Sequence, residues 1–330
     1  MSLLKILAYG VILTYFGLTW QVVGITAGIM YAFIQYVNQL FNPLIDVMQN
    51  YSVLQTSMVA AERVFEIMDR TDYEPEQANQ DLQIQDGSIE FKHVSFSYDG
   101  KRDVLQDISF SVKKGQTIAF VGSTGSGKSS IINLFLRFYE FERGQILIDG
   151  RDIKDFSQAE LRRKIGLVLQ DPFLYHGTIA SNIQLYQEQL TREEIIEAAK
   201  FVDAHGFISQ LPQGYDAHVT ERGATFSSGQ RQLLAFARTI ATKPKILILD
   251  EATANIDSET EELIQTSLRK MRQGRTTIAI AHRLSTIQDA DCIYVLDKGR
   301  IIESGSHEEL LVQDGTYKKM YQLQAGMMES

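Results

Sequence analysis

The sequence predicts an α/β domain built on a largely parallel sheet, preceded by a pair of apolar helices. Three observations carry this. From Ser2 to Glu62 the only charged residues are Lys5, Asp46 and Glu62, whereas the remainder is charged at the density of an aqueous domain. From Gly87 onward short apolar runs alternate with helical periodicity. A glycine-rich loop also stands between one such run and a helix.

The 330 residues have room for two ordinary domains. Hydrophobic content of 44% and charged content of 22% are those of a globular chain. A net charge of -9 argues against a dedicated nucleic-acid binder, which would want a basic face for phosphate. Cys292 is the sole cysteine, which excludes an intrachain disulfide and any cysteine-cluster metal site.

Leu3–Val23 and Ile25–Leu44 are mostly apolar and about as long as the ~20 residues a membrane span requires. The connection Gly17–Gly24 lacks Lys and Arg, while Arg63 and Arg70 follow the second stretch. The positive-inside rule then puts the connection outside and the rest in the cytoplasm, with Trp20 as an interfacial aromatic. A signal peptide is disfavoured, because no basic leader or small-residue cleavage site is visible and a second apolar stretch follows. A pair of buried core helices stays open. Gln35, Asn38 and Asn42 are candidates for lining a polar path or for packing helices together.

Helical spacing continues through Tyr51, Leu54, Met58, Ala61, Val64 and Phe65, so the second stretch is expected to run on as a rigid lever. The expected domains are 1–69, a polar linker 70–86 containing Pro75, and 87–330. In the last, strands are expected at Ile89–Phe91, Thr117–Val121, Ile165–Leu169, Ile246–Leu249, Thr277–Ala281, Cys292–Leu296 and Arg300–Ser304. Helices are expected at Ser129–Phe138, Arg192–Phe201, Arg231–Ala241 and Glu259–Met271.

Gly122, Ser123, Thr124, Gly125, Ser126, Gly127, Lys128 and Ser129 fit G-x-x-x-x-G-K-[ST], with a strand entering and a helix leaving. Glycines let backbone N–H groups turn inward around phosphate oxygens at a helix N-terminus. Lys128 would neutralise the outer phosphates of ATP, and the Ser129 hydroxyl would ligate Mg2+. Ile246–Leu249 leads into Asp250 and Glu251, which suit a Mg2+ ligand and a general base. Gln170 and His282 also follow apolar strands, at the edge where parallel sheets bind ligands. A strand-end histidine on its own is more often structural. Tyr98 can stack on adenine or be one more strand aromatic. Phe226, Ser227, Ser228, Gly229 and Gln230 precede a helix and read as a capped helix start or a second anion site.

Together these segments resemble the nucleotide-binding domain of ATP-binding cassette proteins, over nearly all of 87–323. The resemblance implies a P-loop NTPase (ABC-type) nucleotide-binding domain with a helical subdomain. Gly122–Ser129 matches the Walker A motif, with Ser130 beside it. Ile246–Asp250 matches the Walker B motif and Glu251 the catalytic glutamate. Gln170 matches the Q-loop, Asp257 the D-loop, His282 the switch histidine and Tyr98 the adenine-stacking aromatic. The implied ligands are ATP and Mg2+, the metal held by Ser129, Gln170 and Asp250. Lys128, Gln170, Glu251 and His282 are the implied catalytic residues, and Ser227, Ser228, Gly229, Gln230 and Asp257 would meet ATP on a second subunit.

Thr220–Gly223 and Gln170–Thr178 resemble exporter segments. Residues 3–69 resemble the last two transmembrane helices of an exporter half-transporter, so the chain is expected to be a truncated multi-pass cell-membrane protein. The family signature reads Leu-Ser-Gly-Gly-Gln, and Ser228 replaces its first glycine, where a side chain crowds phosphate and disfavours positive φ. With Glu251 and His282 intact, this resembles one subunit of an asymmetric heterodimer, a homodimer remaining open. The expected function is ATP-driven export of a substrate the sequence does not specify. A soluble cassette ATPase acting on nucleic acid, and a fragment that only binds ATP or assembles with other subunits, are the alternatives.

Overall fold

The computed structural model describes residues 2–23, 26–70, 82–185, 187, 189–220, 223, 225–250, 258–281, 287–324 and 326. The chain divides into two compact units, Met1–Pro75 and Glu76–Ser330.

The first unit is two helices, α1 (Ser2–Val23) and α2 (Ala27–Met68). At 42 residues, α2 runs unbroken for about 63 Å at the standard rise. Polar groups fasten the pair. Tyr9 donates its hydroxyl to Asn38 Oδ1 at 2.6 Å, and Lys5 Nζ donates to Asn42 Oδ1 at 3.0 Å. Phe16, buried to 6%, meets Phe33 with ring centroids 5.5 Å apart. Of the two roles open to Asn38 and Asn42, the structure realises helix packing.

Among the described residues no helix is long and apolar enough to cross a membrane. Helices stand where both spans are expected. Gln35, Asn38, Gln39, Asn42 and Asp46 dilute α2.

The second unit begins with β1 (Ile89–Phe96), β2 (Leu105–Val112) and β3 (Thr117–Gly122), then α3 (Lys128–Phe135). Next come β4 (Arg143–Ile148), β5 (Arg151–Asp152), α4 (Gln158–Lys164) and β6 (Ile165–Val168). The ribbon β7 (Gly177–Thr178) and β8 (His218–Val219) frames α5 (Ile179–Gln184), α6 (Arg192–Phe201) and α7 (His205–Gln210). Then follow α8 (Ser228–Ala241), β9 (Ile246–Asp250), α9 (Ser258–Arg272), β10 (Thr276–Ile280), β11 (Cys292–Asp297) and β12 (Arg300–Gly305). The chain closes with α10 (His307–Val312) and α11 (Thr316–Gln324).

The main sheet has the order β12-β11-β3-β10-β9-β6 and is parallel except for the edge strand β12. Its apolar strands alternate between two cores, as a period of two demands. Ala119, Val121, Leu247, Leu249 and Ala279 face the helices, packing against α5, α6, α8 and α9. Ile118, Phe120, Ile246, Ile248 and Ile278 face α3 and a second, antiparallel sheet in the order β2-β1-β4-β5. That second sheet is the element the sequence pattern does not give. Only the start of β1 is expected from it, because β2 alternates apolar with polar residues and β4 has only a three-residue apolar run, Ile146–Ile148, after a polar start.

Boundaries move by one to a few residues. The expected strands at Thr117, Ile246, Cys292 and Arg300 each gain one residue, and the expected helix Ser129–Phe138 ends at Phe135. Most of the expected linker lies outside the described residues. Its end is fixed by Asp149, whose carboxylate accepts from the backbone N–H groups of Gln85, Asp86, Gly87 and Ser88 at 2.8–3.1 Å.

Candidate functional site: a phosphate-binding loop beside two strand ends

The loop between β3 and α3 holds a shape that only glycine permits at two points. Gly127 caps α3 with φ 108°, and a Cβ there would lie 2.7 Å from Leu105 Cδ2. Gly122 has φ 154°, and a Cβ there would overlap the Leu296 carbonyl oxygen on β11. The N–H groups of the first turn of α3 have no preceding helical turn to accept them, which suits the N-terminus to an anion.

Lys128 is 5% exposed. Its Nζ donates to the carbonyls of Gly122 at 2.8 Å and Ser123 at 3.0 Å. Burial pushes its ammonium below the usual lysine range, and the Asp250 carboxylate opposes that push. A desolvated cation beside inward N–H groups favours an arriving polyanion.

A cavity of about 430 Å3 opens over this loop, lined by Thr124, Gly125, Gly127, Lys128, Ser129, Ser130, Gln170, Asp250, Val104 and Ile280. The structure therefore brings together the loop residues, Gln170 and Asp250, as the sequence anticipates. Gly122, Ser123 and Ser126 stand behind the lining, within reach of the lysine. Gln170 lies two residues past the end of β6 rather than directly on it, and is exposed. Asp250 is the last residue of β9, in register with Ile280 of β10.

Sequence reasoning misses Val104 and Ile280. The signal for Ile280 was its place at the tip of a core strand, next to Asp250. For Val104, a loop residue beside β2, no signal existed. Tyr98 is outside the lining. It follows β1, 47% exposed, with its hydroxyl 3.0 Å from Ser130 Oγ. Glu251, Asp257 and His282 lie outside the described residues, as do Glu221 and Arg222.

Ser227 is the N-cap of α8. Its hydroxyl accepts from Gln230 N at 3.1 Å, and Gln230 Oε1 accepts from Ser227 N at 3.1 Å. This reciprocal cap starts the helix three residues earlier than expected. Ser228 is its first residue and is half-buried, and Gly229 is buried. One expectation is corrected here. Ser228 is not among the residues with positive φ, so its Cβ causes no backbone strain there.

Residues 105–254 match the family described as ABC transporter. An ABC transporter ATP-binding protein of Streptococcus pneumoniae is 69% identical over 328 residues, covering 99% of this chain and 56% of that protein. A Bacillus subtilis relative, named as a multidrug resistance ABC transporter ATP-binding/permease protein, is 50% identical over 93% of this chain and 45% of its own. A fatty acid ABC transporter ATP-binding/permease protein of Mycobacterium bovis is 45% identical, over 90% and 47% respectively. The chain thus spans about half the length of the curated relatives it matches. Among solved structures, a bacterial Atm1-family ABC exporter with ATP bound matches all of this chain and 57% of its own, at 40% identity and a TM-score of 0.74. The glycine loop, the strand-end residues around it and these relatives agree: the chain belongs to the ABC transporter family and carries its ATP-binding domain.

Proposed function

We propose that this chain is the ATP-binding and ATP-hydrolysing part of an exporter half-transporter. The observation that carries the reading is the single cavity shared by Lys128, Ser129, Gln170 and Asp250. Lys128 and the first turn of α3 hold the β- and γ-phosphates. Ser129, Gln170 and Asp250 offer hydroxyl, amide and carboxylate oxygens, a hard donor set that fits Mg2+. When bound, the metal neutralises charge on the phosphates being separated.

Glu251 follows Asp250 in sequence and takes the role of general base for the attacking water, with His282 as a further catalytic residue. Tyr98 stacks on adenine. The closing wall of the site is the α8 start of a second subunit, Ser227 to Gln230 with Asp257, so two such domains close around ATP and reopen after hydrolysis. A side chain at Ser228 where phosphate must come close favours an unequal pair over a homodimer.

The exporter and permease names of the relatives support a multi-pass membrane setting with this domain in the cytoplasm. ATPase turnover is the test, for wild type, Lys128→Ala and Glu251→Gln, each with and without a companion half-transporter. Turnover that needs the companion and vanishes with Glu251→Gln supports the reading. Turnover unchanged by Glu251→Gln in every mixture contradicts it.

A further inference from the structure

Tyr98 is half-exposed, yet it is gripped from several sides. Phe96 meets its ring edge-on at a centroid distance of 4.8 Å and 80° between planes. Tyr139 does the same at 4.8 Å and 86°. Phe96 and Tyr139 are themselves 6.0 Å apart, which closes a triangle of rings. The phenol oxygen lies 3.0 Å from Ser130 Oγ, and Asn133 Nδ2 donates to it at 3.3 Å. Ser130 and Asn133 are one helical turn apart on α3, whose first residue is Lys128. Tyr139 makes its ring contacts from the loop that follows α3.

Edge-to-face pairs favour one relative orientation of the rings. A side chain already fixed loses less freedom when a ligand arrives. The two hydrogen-bonding groups sit on the helix that takes the phosphates, so the ring's position is referred to the same element.

The geometry points to Tyr139 and Asn133 as positioning residues for base recognition, which hold the Tyr98 ring and tie the base end of the nucleotide to the phosphate-binding helix. This rests on the reading of the glycine loop as an ATP site. The roles differ in chemistry. Tyr139 acts through its ring, so phenylalanine can replace it. Asn133 acts through its amide, so alanine removes its part.

The test compares dissociation constants of the full chain for Mg-ATP and for inorganic tripolyphosphate, which has phosphates and no base. Tyr139→Ala and Asn133→Ala are each expected to weaken Mg-ATP by about three- to tenfold and to leave tripolyphosphate unchanged. Tyr139→Phe should bind both as wild type does. Equal weakening of both ligands by Tyr139→Ala, or weakening of neither, overturns the proposal. Lys128→Ala is the separate control. If it leaves both ligands unaffected, the ATP reading fails instead.

Discussion

Arg238 on α8 donates from Nε to the main-chain carbonyl of Asn182 at 2.7 Å and from Nη2 to the Asn182 side-chain oxygen at 3.2 Å. Its remaining arm, Nη1, donates to the Phe173 carbonyl at 2.9 Å. Asn182 is 1% exposed, and its amide clasps Tyr175 and Thr178. The segment following Gln170 is thereby held to the helix that begins at Ser228. Burial lowers the Arg238 guanidinium from the usual arginine range, with Tyr175 opposing, but arginine stays charged at any working pH.

Arg238→Ala removes three charge-assisted hydrogen bonds and should cost roughly 2–3 kcal/mol. Asn182→Ala should cost a similar amount. Because the two share one network, the double variant should lose less than the sum. Urea unfolding midpoints of the four proteins give the answer.

Asp149 fixes the entry to β1 by accepting four backbone N–H groups, so Asp149→Ala should destabilise the domain by about 1–3 kcal/mol. Partial burial raises its carboxyl, but the hydrogen bonds from Gln85, Asp86, Ser88 and Gly87 outweigh this and hold it below the usual aspartate range. The depressed carboxyl contributes stability that is full above the unfolded aspartate value and fades as pH falls through the folded one. Thermal midpoints of wild type should therefore drop through the acid range more steeply than those of Asp149→Ala.

Both networks were illegible in the sequence, and the reason is physical. Asp149 is 61 to 64 residues from its N–H partners and Arg238 is 56 from Asn182, separations at which no local pattern operates. The loop Gly122–Ser129 was legible because its chemistry is local, with strand, glycines and helix start adjoining. β9 and β10 were legible as continuous apolar runs, since both of their faces are buried. β2 was not, because its outward residues are polar, and β4 was not, because its apolar run is only three residues long. The amides of α2 could be read two ways until Tyr9 and Lys5 were seen to take Asn38 and Asn42.

Ser228 has helical backbone at the first turn of α8, so Ser228→Gly should shift stability by less than about 1 kcal/mol. Its effect should fall on turnover. In a mixture with a companion half-transporter, ATPase activity should rise, on the order of tenfold where backbone contact with the companion's phosphate is restored. Unchanged turnover would remove the argument for an unequal pair.

Gly127→Ala forces a side chain into a positive φ and against Leu105. It should cost roughly 1–3 kcal/mol and weaken nucleotide binding, read together by calorimetric titration and thermal midpoint.

Mg-ATP binding on the loop 122–129 through Lys128 underlies every role given to the site. Isothermal titration of the purified full chain with Mg-ATP, wild type against Lys128→Ala, tests it most directly. Wild type should bind saturably, and removing the charge-assisted contact should cost roughly tenfold to hundredfold in affinity. Equal affinity in the two proteins would contradict it.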